Sequence, residues 1–251
     1  MATLDDTLGV LRSLAIYYAP GRVRRLARFY APFIQPGDLC FDVGAHVGNR
    51  IAAWTQLGAR VVAMEPQTLL MGWLRRRYGH TPGVTLVEAA VGAAPGWATL
   101  RHDPRNPTVS TLSAEWIAAV GRDPSFGDVH WQEADTVEVT TLDTLIAAYG
   151  PPTLCKIDVE GYEAEALRGL STALPLVSFE FIPAAIDVAH DCVARLEELG
   201  TYAYNWFPGE SHRWASAGWL PAAGMAAQLD LLAQGRASGD VFARLVSVGQ
   251  A

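Results

Sequence analysis

Two short stretches of the chain concentrate the residue types that could do chemistry. In Asp42-Val-Gly-Ala-His-Val-Gly48, followed by Asn49, a carboxylate and two glycines close the apolar run Leu39 to Val43. Gly44 would let the chain turn sharply and bring its backbone against a ligand. Gly48 opens the next helix, whose free N–H groups favour a carboxylate. A dinucleotide loop would read Gly-x-Gly-x-x-Gly, but His46 and Asn49 stand where its second and third glycines belong, which argues against a pyrophosphate. Beyond this loop, Glu65 ends the run Val61-Val-Ala-Met64, where a carboxylate can accept both hydroxyls of a ribose. Loop and acid together argue for a nucleoside ligand. His46 could act as a base or could support the loop from behind or at the surface, since no sequence neighbour is an obvious orienting group.

The second stretch is Lys156-Ile-Asp-Val-Glu-Gly161. If the strand stays regular, Lys156, Asp158 and Glu160 alternate onto one side. Burying three ionisable groups for stability alone is costly, so the default reading is functional, with a Lys156–carboxylate ion pair as the structural alternative. Glu180 in Val177-Ser-Phe-Glu-Phe181 is a further acid at a strand end.

The elements that must position these groups follow from periodicity. Strands are expected at Leu39–Val43, Arg60–Met64, Val84–Glu88, Thr153–Val159 and Leu176–Phe181, separated by helices near Asn49–Leu57, Thr68–Tyr78, Leu142–Tyr149, Tyr162–Leu170 and Ala185–Leu199. Such alternation implies right-handed crossovers and a parallel sheet. Late strands near Tyr202–Phe207 and Asp240–Val246 flank a helix at Ala222–Leu232 and suit a hairpin-like pair at the sheet edge. The segment Gly92 to Asp135 breaks the rhythm, apart from a short strand at Trp97–Arg101, and regularity resumes with a strand at Val137–Thr140. Its His102, Arg105, Ser110, Thr111, Trp116 and Trp131 make residues 102–133 a candidate lid or acceptor wall, with plain packing the alternative for the tryptophans.

In order along the chain, Pro36-Gly-Asp38, Asp42 to Gly48, Glu65-Pro66, Thr141-Leu-Asp143, Lys156 to Glu163 and Gly239-Asp-Val-Phe-Ala243 resemble the FkbM-type methyltransferase family. The resemblance implies a class I, Rossmann-like α/β fold: a mostly parallel seven-stranded sheet with an antiparallel edge strand, helices on both faces, and an N-terminal helical extension (1–35) before the main domain (36–251). It implies S-adenosylmethionine as cofactor and methyl transfer to a hydroxyl of a sugar, polyketide or other secondary metabolite. By position, Asp42, Gly44, Ala45, His46, Gly48, Asn49, Glu65 and Pro66 would bind the amino-acid and ribose parts of the cofactor, with Asp42 meeting its ammonium directly or through water. Glu88, Ala89 and Ala90 would line the adenine, and Asp158 would sit beside the methyl-transfer centre. His46 departs from the family, which often has Asn there. A hydroxyl acceptor must lose its proton, and Asp158, Glu160 and Glu180 are the candidate bases, in that order. No His/Asp spacing supports a metal, so metal independence is expected. Methylation at nitrogen, S-adenosylmethionine binding without catalysis, and a nicotinamide-dependent oxidoreductase are the competing readings.

Composition narrows the field further. The chain has 251 residues, half of them hydrophobic, which suits one large α/β domain, and its net charge of −7 argues against a nucleic-acid partner. No apolar run approaches the length of a membrane span, and the amino terminus lacks a secretion-signal pattern, so a soluble, cytoplasmic protein with a small-molecule acceptor is expected. Cys40, Cys155 and Cys192 read as reduced and structural. The basic helix pattern around Arg22, Arg24, Arg25 and Arg28 is either a solvated face or a contact for an anionic substrate or membrane surface. Tyr202, Tyr204, Trp206, Phe207, Trp214 and Trp219 either close the core or form a homodimer surface.

Overall fold

The apolar runs pair into one large sheet. The computed structural model describes residues 4–131 and 133–246, so residues 1–3 and 247–251 of the expected domain division, and residue 132 of the irregular segment, lie outside the described residues. Two helices, α1 (Leu4–Tyr17) and α2 (Arg22–Tyr30), precede the alternating part. That part runs β1 (Leu39–Val43), α3 (Asn49–Gln56), β2 (Arg60–Met64), α4 (Thr68–Tyr78) and β3 (Val84–Val87). It continues with β4 (Ala90–Val91), β5 (Gly96–His102), α5 (Ala114–Val120), β6 (Glu133–Thr140), α6 (Leu142–Tyr149), β7 (Leu154–Ile157), α7 (Glu163–Arg168), β8 (Leu176–Phe181) and α8 (Ile186–Leu199). The chain closes with β9 (Tyr202–Pro208), β10 (Leu220–Pro221), α9 (Ala222–Leu232) and β11 (Gly239–Leu245).

The doubly wound α/β class stands, with two differences in detail. The main sheet has eight strands in the order β10-β9-β11-β8-β7-β1-β2-β3, the eighth being the two-residue β10. The antiparallel strand β11 lies inside the sheet, between β8 and β9, and not at its edge. Periodicity cannot place it there, because strand order is set by which edges remain open when the last segment docks. A second sheet, β4-β6-β5, pairs the two expected short strands, extended here to Gly96–His102 and Glu133–Thr140, and adds β4, which was not expected.

Every residue of β1 is buried, as a parallel strand covered on both faces requires. Leu39, Phe41 and Val43 join the core under α6 to α9, while Cys40 joins the opposite core with Trp54, Leu74 and Tyr78. Full burial of one side chain such as Phe41 contributes about 1.5–3 kcal/mol. Leu26, Ala27 and Tyr30 of α2 enter the second core, Tyr30 meeting Trp54 edge to face at 5.3 Å, so the basic face of α2 is turned outward.

Tyr202, Tyr204 and Phe207 are buried, and Trp206, Trp214 and Trp219, partly buried, pack against the same cores. All three cysteines are buried and free. No helix among the described residues is long and apolar enough to cross a membrane.

The strand order reverses between β1 and β7: from β1 the chain steps outward to β2 and β3, from β7 the opposite way to β8. Ligands of open α/β sheets bind in the crevice at the carboxyl ends of the strands flanking such a reversal. Both candidate stretches end there.

Candidate active site

The loop after β1 is held in a shape that only part of it tolerates easily. Gly44 has φ +82° and Gly48 φ +81°, and His46 also lies in the left-handed region at φ +50°. A Cβ on Gly44 would stand 1.9 Å from the carbonyl oxygen of Asp158, so this glycine allows the loops after β1 and β7 to touch. Glu65, just past β2, ties the loop down: its carboxylate accepts from the backbone N–H of His46 at 2.8 Å and of Gln67 at 3.0 Å. Burial outweighs those bonds and pushes Glu65 up to about 7.

On the other side of the reversal, β7 ends at Ile157, three residues short of where the alternating pattern needs it. Glu160 takes φ +52° and Gly161 φ +83°, so Asp158 and Glu160 reach the site from a bend and not from strand alternation. Thr111 Oγ1 donates to the Glu160 carbonyl at 2.6 Å and pins this bend.

Arg50, in the first turn of α3, joins the two stretches. Its Nε donates to Asp42 Oδ1 at 2.6 Å, its Nη1 meets Asp158 Oδ2 at 2.9 Å, and its Nη2 donates to the Gly44 carbonyl at 2.9 Å. Lys156, 1% exposed, donates to Asp240 Oδ1 at 2.6 Å and lies 3.8 Å from Asp158. The ion-pair reading of Lys156 therefore describes its contacts, with Asp240 of β11 as the closer partner.

These contacts set the protonation states. Burial alone would raise Asp158, but Lys156 and then Arg50 hold it below the usual carboxylate range. Glu160 is raised well above that range by burial, then by the charges of Asp158 and Glu163. Glu180 is raised likewise by burial, then by Glu160 and Asp158. Burial, with Arg50 adding to it, lowers His46 to about 4, so its ring is neutral. One acid is held below the usual carboxylate range beside two that are raised above it.

A cavity of about 300 Å³ joins these groups. Of the residues expected at the site, Gly44, His46, Asn49, Glu65, Pro66, Ala89, Ala90, Asp158, Glu160 and Glu180 line it. Asp42, Ala45, Gly48 and Glu88 do not. Asp42 is fully buried under the loop and bound by Arg50, and Glu88 is turned aside to Arg75 at 2.7 Å. His46 is half-buried: its Nε2 is buried without a hydrogen bond among the described residues, and its ring meets Tyr17 edge to face at 5.4 Å.

Of the irregular segment, Ser110 and Thr111 reach the cavity. Trp116 and Trp131 instead pack on each other and on Phe126. No group of three or more His, Cys, Asp or Glu side chains among the described residues is arranged to hold a metal ion.

Sequence reasoning missed Arg50, Tyr17, Gln67, Glu210, His212 and Asp240, all of which line the cavity. One signal was available for Arg50: a cation in the first turn of a helix opposes the helix dipole, so its presence there asks for an acidic partner.

The sequence profile of the methyltransferase FkbM domain matches residues 42–197, the span that carries both stretches. The chain belongs to the FkbM methyltransferase family. Its cofactor is S-adenosylmethionine, and the site accommodates that molecule. A buried acid at the end of β2, two small wall residues and an unpartnered buried nitrogen on His46 surround one cavity. Hexuronic acid methyltransferase AglP of Haloferax volcanii is 26% identical over 150 residues, covering 59% of this chain and 56% of that protein, so the likeness spans about half of the relative's length. Among solved structures, fibrillarin of Aeropyrum pernix with bound S-adenosyl-L-methionine has a TM-score of 0.47 at 10% identity, covering 88% of this chain and 74% of that one. An rRNA methylase from Streptococcus thermophilus has a TM-score of 0.47 at 10% identity, covering 90% and 96%.

Proposed function

We propose that this FkbM-family chain transfers the methyl group of S-adenosylmethionine to a hydroxyl of a sugar or a similarly hydroxylated metabolite. The observation that carries this reading is the meeting of Asp158, Glu160 and Glu180 in the same cavity as Gly44 and Glu65. When bound, the cofactor supplies a methyl group on a positively charged sulfur, open to in-line displacement by an acceptor oxygen. Glu65 would hold the ribose hydroxyls, and Ala89 and Ala90 would flank the adenine. The N–H groups opening α3 would hold the amino-acid carboxylate, with Asp158 beside Gly44 facing the ammonium in place of Asp42.

The acceptor hydroxyl gives up its proton as its oxygen attacks. Asp158, kept ionised by two cations, is a weak base. Glu160 and Glu180, raised by burial and by neighbouring carboxylates, are stronger bases once ionised, and the proton passes to one of them. A wall of carboxylates also suits a molecule rich in hydroxyl donors, because each oxygen accepts a hydrogen bond. The sugar substrate named for the Haloferax relative supports the same class of acceptor.

The test is mass spectrometry of hydroxylated and amino sugars incubated with the protein and S-adenosylmethionine. Glu160→Gln and Glu180→Gln are each expected to keep cofactor affinity, and the variant lacking the true base to lose roughly 10²–10⁴ in kcat. In the wild type the rate should climb with pH as the raised acid ionises. Methylation at nitrogen alone, or an unchanged kcat in both variants, refutes the reading.

A further inference from the structure

The basic residues of α2 have no part in the site described so far. Arg22 and Arg25 lie three apart on one face of the helix, are exposed, and make no ion pair among the described residues. They line a side pocket of about 60 Å³ whose other walls include Tyr17, Asn49, Glu210 and His212. Those four residues also line the main cavity, so the two spaces adjoin.

The charges of the two spaces are opposite. Glu160, Glu180 and Asp240 face the main cavity, and Arg50, which lines it among the described residues, is engaged by Asp42 and Asp158. Among the described residues, an anion entering the main cavity finds no unpaired Lys or Arg there. At the side pocket it finds two guanidinium groups whose planar donor forks suit the paired oxygens of a carboxylate or phosphate. Nδ1 of His212 is buried there without a hydrogen-bond partner among the described residues. Glu210 is the opposing charge; its side chain is largely exposed, and its carboxylate lies 3.6 Å from His212 Nε2.

We propose that the side pocket binds an oxyanion carried by the acceptor, a carboxylate or a phosphate, held by Arg22 and Arg25 while the acceptor's hydroxyl points inward to Glu160 and Glu180. This rests on the sugar-methylation reading and names its substrate class: an anionic sugar, oriented by charge. An uncharged sugar would enter with no such orientation.

The experiment is calorimetric titration of the full chain, saturated with S-adenosylhomocysteine, with glucose, glucuronate and glucose 1-phosphate, alongside R22A/R25A. The two anionic sugars should bind at least about tenfold more tightly than glucose, and the double variant should lose that advantage with its S-adenosylhomocysteine affinity unchanged. The tighter of the two anions distinguishes phosphate from carboxylate. Equal binding of all three sugars, no binding of either anion, or an unaffected double variant overturns the proposal. Mass spectrometry of the same mixtures separates the two readings. Anionic sugars that bind through the arginines but are never methylated sink the methylation reading and leave the pocket. Methylation of glucose that the double variant retains does the reverse.

Discussion

Replacing Arg50 by Met keeps most of its length and removes its charge, and the result should depend on pH with a definite sign. The guanidinium is 12% exposed, touches Asp42 at 2.6 Å and Asp158 at 2.9 Å, and makes the one ion pair of Asp42 among the described residues. Breaking a buried ion pair by removing one partner costs about 3–5 kcal/mol, because the remaining charge is left uncompensated. The carboxylates can relieve part of that cost by taking up protons. Burial already raises Asp42 against the pull of Arg50, and losing Arg50 raises it further. A group raised in the folded state stabilises fully below its unfolded pKa, about 3.9 for Asp. That stabilisation fades as pH rises through the folded value. Asp158 of the wild type has the opposite sign: lowered when folded, it stabilises above the unfolded value and loses this on acidification. Urea denaturation at pH 7.5 should therefore show the variant about 3–5 kcal/mol less stable, and the gap should narrow at pH 5.5. Arg50→Lys, which keeps a charge but not the three-way fork, should fall between them. A loss below about 1 kcal/mol, or a gap that widens on acidification, would refute the view that Arg50 neutralises both acids.

Three further outcomes follow from the same geometry. Gly44→Ala places a Cβ 1.9 Å from the Asp158 carbonyl at φ +82°, so the loops after β1 and β7 must part. Calorimetry should find S-adenosylmethionine affinity down by more than about tenfold, with about 2–4 kcal/mol of stability lost. With Glu65 raised to about 7, cofactor affinity should weaken as pH falls from 8 to 6, by up to about tenfold per unit below 7, and Glu65→Gln should bind weakly at every pH. The Tyr202 hydroxyl accepts from Leu174 N–H at 3.0 Å and donates to the Leu174 carbonyl at 2.9 Å. Tyr202→Phe should therefore cost about 1–3 kcal/mol in denaturation and leave cofactor affinity untouched.

Much of the framework was legible in the chain itself. The strand-and-helix alternation, the turn glycines and the acid closing β2 depend on periodicity and on local backbone needs, which neighbouring residues determine. That is why Gly44, Glu65 and Glu180 could be named from the sequence and are found around one cavity, whereas Asp158 and Glu160 reach it through a bend that strand alternation does not predict. Partner choice was not legible, because it depends on contacts between distant segments. Asp240 reaches Lys156 across 84 positions only because β11 inserts beside β8. Arg50 takes up Asp42, which leaves Asp158 as the acid at the cavity wall. Tyr17, Glu210 and His212 arrive from the first helix and a late loop that carry no motif. The residue types that can do chemistry are set by sequence. Which of them are ionised, which are neutral and which face the ligand is decided by burial and by the charges that the tertiary fold places beside them.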